Sequence, residues 1–166
     1  MNPGKTLTLK FAPMDDVSAL EIISWRYEAP YDIYNLEADK DELAYALNPE
    51  NCFYTLKDEN GSLAGFCSFG LDGQVPGGDY NADALDIGMG IRPDLTGRGY
   101  GQRFVSKVLA FAQGEFAPAR YRVTIAAFNR RAQKVWSKAG VHFVERFTHA
   151  ASGREFLIFI RDASVS

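Results

Sequence analysis

Residues 96–101 read Thr-Gly-Arg-Gly-Tyr-Gly, three glycines at alternate positions with an arginine between the first two. An apolar strand-like run ends just before them and a helical apolar pattern starts just after. A turn from strand into helix aims several free backbone N–H groups at one spot, and the helix dipole adds partial positive charge there. Absent side chains let a phosphate come close to those donors. A P-loop would need Lys-Ser/Thr after the last glycine, but Gln102-Arg103 stand there. A dinucleotide fingerprint would need G-x-G-x-x-G directly after the first strand, with an acidic ribose partner further on. Here the spacing is G-x-G-x-G and several strands precede it. An anion cradle of another kind and a ligand-free helix start remain.

Two other groups of residues have chemical potential. Asp86 is a carboxylate within the apolar run "ALDIGMGI". Trp25, Tyr27, Tyr31 and Tyr34 fall among Glu28 and Asp32 in "SWRYEAPYDIYNLE". Aromatic faces with carboxylates suit a cationic amine, and the same aromatics are equally suited to packing helices onto a sheet. His142 and His149 have no partners at metal-ligand spacing, so no metal site is expected.

These residues need elements to hold them. "TLTLKFA" alternates as a first strand. Asp15 or Asp16 caps a helix with Val17, Leu20, Ile22 and Ile23 on one face. Residues 39–47 form a second helix with acidic residues in its first turn. "CFYTLK" and "LAGFCSFG" make a hairpin around Asn60-Gly61. A glycine-rich loop, residues 71–83, precedes a strand at 84–91. Phe104, Val105, Val108, Leu109, Phe111 and Ala112 mark an amphipathic helix after the glycine turn. "YRVTIAAF" is the next strand. Asn129 stands at an N-cap position, Ala132, Val135, Trp136 and Ala139 keep helical spacing, and Gly140 stops the helix. Two final strands close around residues 151–153. The order β-α-α-β-β-β-α-β-α-β-β predicts an α/β fold, a mixed sheet with helices on both faces.

With 166 residues, 46% hydrophobic and 23% charged, the chain fits one domain over residues 1–166. A formal net charge of −3 gives no sign of nucleic acid or an anionic membrane as partner. No apolar run approaches the roughly 18 residues of a membrane span, and the first residues lack an apolar signal segment. The expected location is cytoplasmic. Cys52 and Cys67, each in an apolar run, are expected as buried free thiols.

The glycine turn, with Pro93 before it, resembles motif A of the GNAT superfamily of acetyl-CoA-dependent N-acetyltransferases, whose pattern is Gln/Arg-x-x-Gly-x-Gly/Ala. "AAFNRRAQKVWSKAG" is similar to the strand–helix unit that follows in that family, and the element order matches as well. The resemblance implies a GNAT fold, a mostly antiparallel central sheet with a splayed central strand pair. It implies an N-acetyltransferase with acetyl-CoA as co-substrate, moving acetyl directly to a primary amine of a small molecule or peptide. The pantetheine arm would pair with backbone at Met89, Gly90 and Ile91. The pyrophosphate would sit on the turn of Gly97, Arg98, Gly99, Tyr100, Gly101 and Gln102. Asn129 would touch the cofactor or simply cap its helix. Asp86 would be the general base or a structural carboxylate, with Asp83, Asp79 and Glu28 behind it. The acceptor pocket would involve Trp25, Tyr27, Glu28, Tyr31 and Tyr34, with the 71–83 loop closing over it. Homodimers are frequent in the family.

Two positions depart from the family pattern. Thr96 stands where Gln or Arg is usual; as a cofactor-binding residue it would donate one shorter-reaching hydroxyl hydrogen bond, with Arg98 supplying the missing positive charge. Trp136 stands where a Tyr often protonates the departing thiolate, so it either walls the cofactor channel or packs in the core. These departures motivate an alternative, a non-catalytic acyl-CoA-binding or sensing module on the same fold.

Overall fold

The computed structural model describes residues 8–163. Its elements run β1 (Lys10–Pro13), α1 (Asp16–Ser24), α2 (Lys40–Leu47), β2 (Phe53–Lys57), β3 (Leu63–Phe69), β4 (Leu85–Ile91), α3 (Gly101–Phe116), β5 (Arg120–Ala126), α4 (Arg130–Lys138), β6 (His142–Thr148) and β7 (Glu155–Asp162). This is the order expected from the sequence. Thr6 and Leu7 of the expected first strand lie outside the described residues. The chain clusters into two compact units, Met1–Ser68 with Met89–Tyr100, and Phe69–Gly88 with Gly101–Ser166.

In the first unit the strand order is β1-β2-β3-β4, with β1, β2 and β3 antiparallel in turn. The β2–β3 hairpin turns at Gly61 with φ 79°, while the Asp58 carboxylate accepts from the N–H groups of Asn60 and Ser62. Asp15 caps α1 by accepting from the Ser18 N–H and hydroxyl. Val17 and Leu20 do not face inward as their spacing predicts. They are 79% and 55% exposed, and Ser18, Ala19, Ile22 and Ile23 form the buried stripe instead. Two apolar stripes are available on this helix. The one built on small residues at 18 and 19 is the one that is buried.

Trp25, Ile22 and Leu63 make a core cluster, with Phe66, Tyr27, Leu36 and Met14 packed against it. Phe66 lies between Trp25 and Phe53, each ring centroid 6.1 Å away. A Cβ at Gly90 would stand 2.5 Å from Phe66 Cζ, with Cε1 closer still. Gly90 is therefore bare because the Phe66 ring fills its side-chain space.

In the second unit the order is β4-β5-β7-β6. The β4–β5 ladder is parallel and short, pairing Leu85 with Tyr121 and Asp86 with Arg122. β5 pairs antiparallel with β7 along its whole length, and β7 with β6. Helix α3 buries Phe104, Val105, Val108, Leu109 and Ala112. Each large apolar side chain so buried contributes about 1.5–3 kcal/mol. Asn129 caps α4 through the Ala132 N–H at 3.0 Å, and Gly140 ends it at φ 97°.

Two predictions follow from the packing of the first unit. Gly90→Ala should destabilise the protein by about 1–3 kcal/mol in urea unfolding, and Phe66→Leu in the same chain should recover part of that loss. Full additivity of the two changes would refute the contact. Burial pushes the Cys67 thiol up to about 12, whereas Cys52 is only half-buried. Iodoacetamide at pH 8 should modify Cys52 in the native protein and reach Cys67 only after unfolding, as peptide mass mapping would show.

Candidate functional site

The glycine turn is held at both ends and bare in the middle. Leu95 and Tyr100 are buried at 2% and 1% exposure, while Gly97, Arg98 and Gly99 between them are exposed. Gly97 and Gly99 take φ values of 70° and 84°, which disfavour any side chain. A Cβ at Gly99 would meet nothing within 4 Å, so the space above it is open. Gly101 is bare for another reason, since a Cβ there would press on Val135 Cγ2 at 3.1 Å. Among the described residues, no well-formed hydrogen bond comes from the N–H groups of Gly97, Arg98 or Gly99. The turn thus exposes donors just ahead of a 16-residue helix.

Its neighbours brace it. Arg92 donates to both Asp94 carboxylate oxygens, at 2.6 and 3.2 Å, and to the Leu63 carbonyl at 3.0 Å. That ion pair holds the Asp94 carboxyl below its ordinary range. The Thr96 hydroxyl donates to the Pro93 carbonyl at 2.7 Å, so its proton is already used within the turn. Arg98 is exposed, with one loose contact to the Asp94 carbonyl at 3.4 Å.

The strand leading to the turn is fixed from outside. Tyr27 donates its phenol to the Ile91 carbonyl at 2.7 Å, and Asn35 Oδ1 accepts from the Tyr27 N–H at 2.7 Å. Trp25 is a core residue. Tyr27 and Tyr31 are half-buried, and Glu28 and Tyr34 are exposed. The aromatic segment is thus divided between core and surface. A cavity of about 580 Å³ in this unit is bordered by Glu21, Trp25, Arg26, Lys57, Arg92 and Asp94 among others. Trp25 is the one acceptor-side candidate that borders it.

In the second unit Asp86 is 3% exposed and grips Arg122, itself 2% exposed. Arg122 Nε reaches Oδ1 and Nη2 reaches Oδ2, both at 2.7 Å, and Gln74 donates to Oδ2 at 2.9 Å. Arg122 also donates to the Ala82 carbonyl at 2.8 Å and lies 5.0 Å over the Tyr80 ring. The Asp86 hydrogen bonds raise the Arg122 pKa against the opposing effect of burial. Both Asp86 oxygens are engaged, so an amine would have to compete with a bidentate guanidinium for them.

The same network settles the 71–83 loop. The Tyr80 hydroxyl accepts from the Val75 N–H and bonds Thr124, Gly70 donates to the Asp86 carbonyl, and Gly77 and Gly78 lie tight against Phe147, Thr148 and Ile158. Gly77 and Gly78 are bare where neighbouring atoms fill the space beside them. Arg122, Tyr80 and Gln74 were not singled out from the sequence. The available signal was one Arg at a core position of the apolar run "YRVTIAAF". Trp136 is 5% exposed in the core of this unit, Asn129 caps α4, and Gln102 is exposed on the first turn of α3. Asp79 and Asp83 are exposed. Among the described residues no three His, Cys, Asp or Glu side chains are grouped to hold a metal ion, and no helix is long and apolar enough to cross a membrane.

Breaking the buried pair should be costly. Asp86→Ala leaves Arg122 charged and unpaired and should cost about 3–5 kcal/mol in urea unfolding. Asp86→Leu combined with Arg122→Met should cost clearly less than the two single changes summed. A loss below about 1 kcal/mol for Asp86→Ala would contradict the ion-pair account.

Comparison with known proteins agrees with this architecture. The acetyltransferase (GNAT) family model matches residues 18–141. No protein of curated function matches the chain in sequence. Among solved structures, a spermidine N-acetyltransferase SpeG chimera from Vibrio cholerae and hSSAT superposes with TM-score 0.74 at 13% identity, covering 94% of this chain and 96% of that one. A GNAT-family acetyltransferase from Bacillus anthracis gives TM-score 0.72 at 14% identity, with 95% and 96% covered. A putative phosphinothricin N-acetyltransferase gives 0.64 at 18%, with 95% and 100% covered. At these identities the structures show the fold, and the family model covers well over half of the chain. The protein belongs to the acetyltransferase (GNAT) family.

Proposed function

We propose that the protein is an N-acetyltransferase that passes the acetyl group of acetyl-CoA directly to a primary amine of a small molecule or peptide. The observation that carries this reading is the exposed turn at Gly97, Arg98 and Gly99, with its uncommitted N–H groups, in a chain of this family. A pyrophosphate accepts several hydrogen bonds and carries negative charge, and both needs are met where N–H groups converge ahead of a helix. Arg98 supplies a positive charge that Thr96 does not. Along β4 the pantetheine amides pair with strand backbone as an added strand would. Tyr27 already donates to the Ile91 carbonyl, so in this reading the pairing falls chiefly to Met89 and the Ile91 N–H.

Transfer requires a neutral amine and a donor for the tetrahedral oxyanion. In this proposal the Met89 and Gly90 backbone N–H groups are the candidate donors, the Ile91 N–H being taken by the pantetheine arm. Asp86 can take the amine proton only if Arg122 first releases one oxygen. The acceptor is left as a primary amine without further identity.

A second reading has its own support. Asp86 is held by Arg122 and Trp136 is buried, so neither presents a free proton-transfer group. A non-catalytic acyl-CoA-binding module would need neither.

The decisive experiment is thermal unfolding with acetyl-CoA at about 100 times its Kd, where binding to the native state adds about 2.7 kcal/mol. The expected rise in Tm is about 5–10 °C, and Gly99→Glu should abolish it. Thiol release with a panel of primary amines then separates the enzyme from the binding module. No rise with acetyl-CoA or CoA would overturn both readings.

A further inference from the structure

Inside the first unit, one side chain ties the aromatic segment to β4. The Tyr27 phenol donates to the Ile91 carbonyl at 2.7 Å, across 64 residues of sequence. That carbonyl has a particular place on the strand. The next residue, Arg92, turns its N–H to β3, where the Ala64 carbonyl accepts it at 2.9 Å. Neighbouring residues of a strand direct their backbone groups to opposite edges, so the Ile91 carbonyl lies on the edge away from β3. The β4–β5 ladder has ended before this point, at Asp86 and Arg122. Ile91 thus offers an edge carbonyl in the stretch where the cofactor arm is proposed to pair as an added strand, and a side chain already holds it.

Tyr27 is itself held. Its ring packs against the cluster of Ile22, Trp25 and Leu63. Its N–H donates to Asn35 Oδ1 at 2.7 Å. Asn35 follows the 3₁₀ turn Tyr31–Tyr34 and donates its own N–H to the Asp32 carbonyl at 3.1 Å, while the Tyr31 N–H reaches the Glu28 carbonyl at 2.9 Å. Residues 27–35 therefore form a loop closed by its own hydrogen bonds, with the phenol reaching out to β4. Glu28, Tyr31 and Tyr34, acceptor-side candidates from the sequence, ride on this loop.

Resting on the cofactor reading above, we propose that Tyr27 is a latch that couples this loop to cofactor binding. While latched, the phenol occupies the Ile91 carbonyl and the arm has one acceptor fewer. When the arm takes that carbonyl, the phenol turns to water and the loop is loosened. The latch therefore lowers cofactor affinity by about the net worth of one hydrogen bond. Linkage runs both ways: an acceptor that draws the loop off β4 strengthens the hold on the cofactor.

The test is calorimetric titration with acetyl-CoA and with ADP, a pyrophosphate without the pantetheine arm. Tyr27→Phe keeps the ring and removes only the hydroxyl. It should bind acetyl-CoA about threefold to tenfold more tightly than the parent, and ADP with the parent's affinity. Asn35→Ala should also tighten acetyl-CoA binding, and should add nothing in the Tyr27→Phe background. In the parent, acetyl-CoA should speed amide hydrogen exchange across residues 27–35, and ADP should not. Equal or weaker acetyl-CoA binding by Tyr27→Phe would overturn the latch and leave the cofactor reading standing. So would an equal gain for ADP, or unchanged exchange across residues 27–35. Absence of acetyl-CoA binding by the parent would remove the cofactor reading and the latch together.

Discussion

A guanidinium at the core of a β-strand is a demand that the rest of the unit must meet. Arg122 sits in β5 at 2% exposure, where an unpaired charge would be worth several kcal/mol against folding. Asp86, on the paired strand, neutralises it with two parallel hydrogen bonds, and the Ala82 carbonyl takes a third donor. The Tyr80 ring lies 5.0 Å from the guanidinium carbon, and Gln74 adds a third hydrogen bond to the carboxylate. Three of these partners come from the 71–83 loop. The loop is therefore ordered by the charge it surrounds, and its path over β4 and β5 is a condition of burying Arg122 at all.

The glycines around the proposed cofactor strand and turn share a residue type and little else. Gly97 and Gly99 are needed for positive φ, and at Gly99 the surrounding space is open. Gly101 is needed so that Val135 can approach α3, and Gly90 so that Phe66 can stay between Trp25 and Phe53. A sequence pattern treats them as one motif. Sterically, half of them serve backbone conformation beside solvent and half serve packing.

This difference marks how far the sequence could be read. Elements set by local chemistry were legible: the Asn129 cap, the turn at Asn60-Gly61, the Gly140 stop and the amphipathic stripe of α3. The glycine turn was legible for the same reason, because its strain and exposure depend on neighbours in the chain. Long-range pairings were not. Asp86 and Arg122 are 36 residues apart, and nothing local says that one carboxylate in an apolar run is owed to one arginine in another. The orientation of α1 was misread because Ser18 and Ala19 are as easily buried as Val17 and Leu20 are exposed. Only the packing of the first unit decides between those two stripes.

Each unit is assembled from two separated stretches of chain, with β4 changing membership between Gly88 and Met89. No single cut in the chain releases either one intact. During synthesis the first unit cannot be completed when Ser68 emerges. It must wait for the chain to build the loop and β4 and return through Tyr100. The second unit waits longer, for β5 and β7. The early segment therefore leaves the ribosome with the β3 edge lacking its neighbour and with Phe66 facing a gap. Contacts closed over such sequence distances are slow to form and exposed while they wait. The order of the strands thus delays the closure of both units until most of the chain is made.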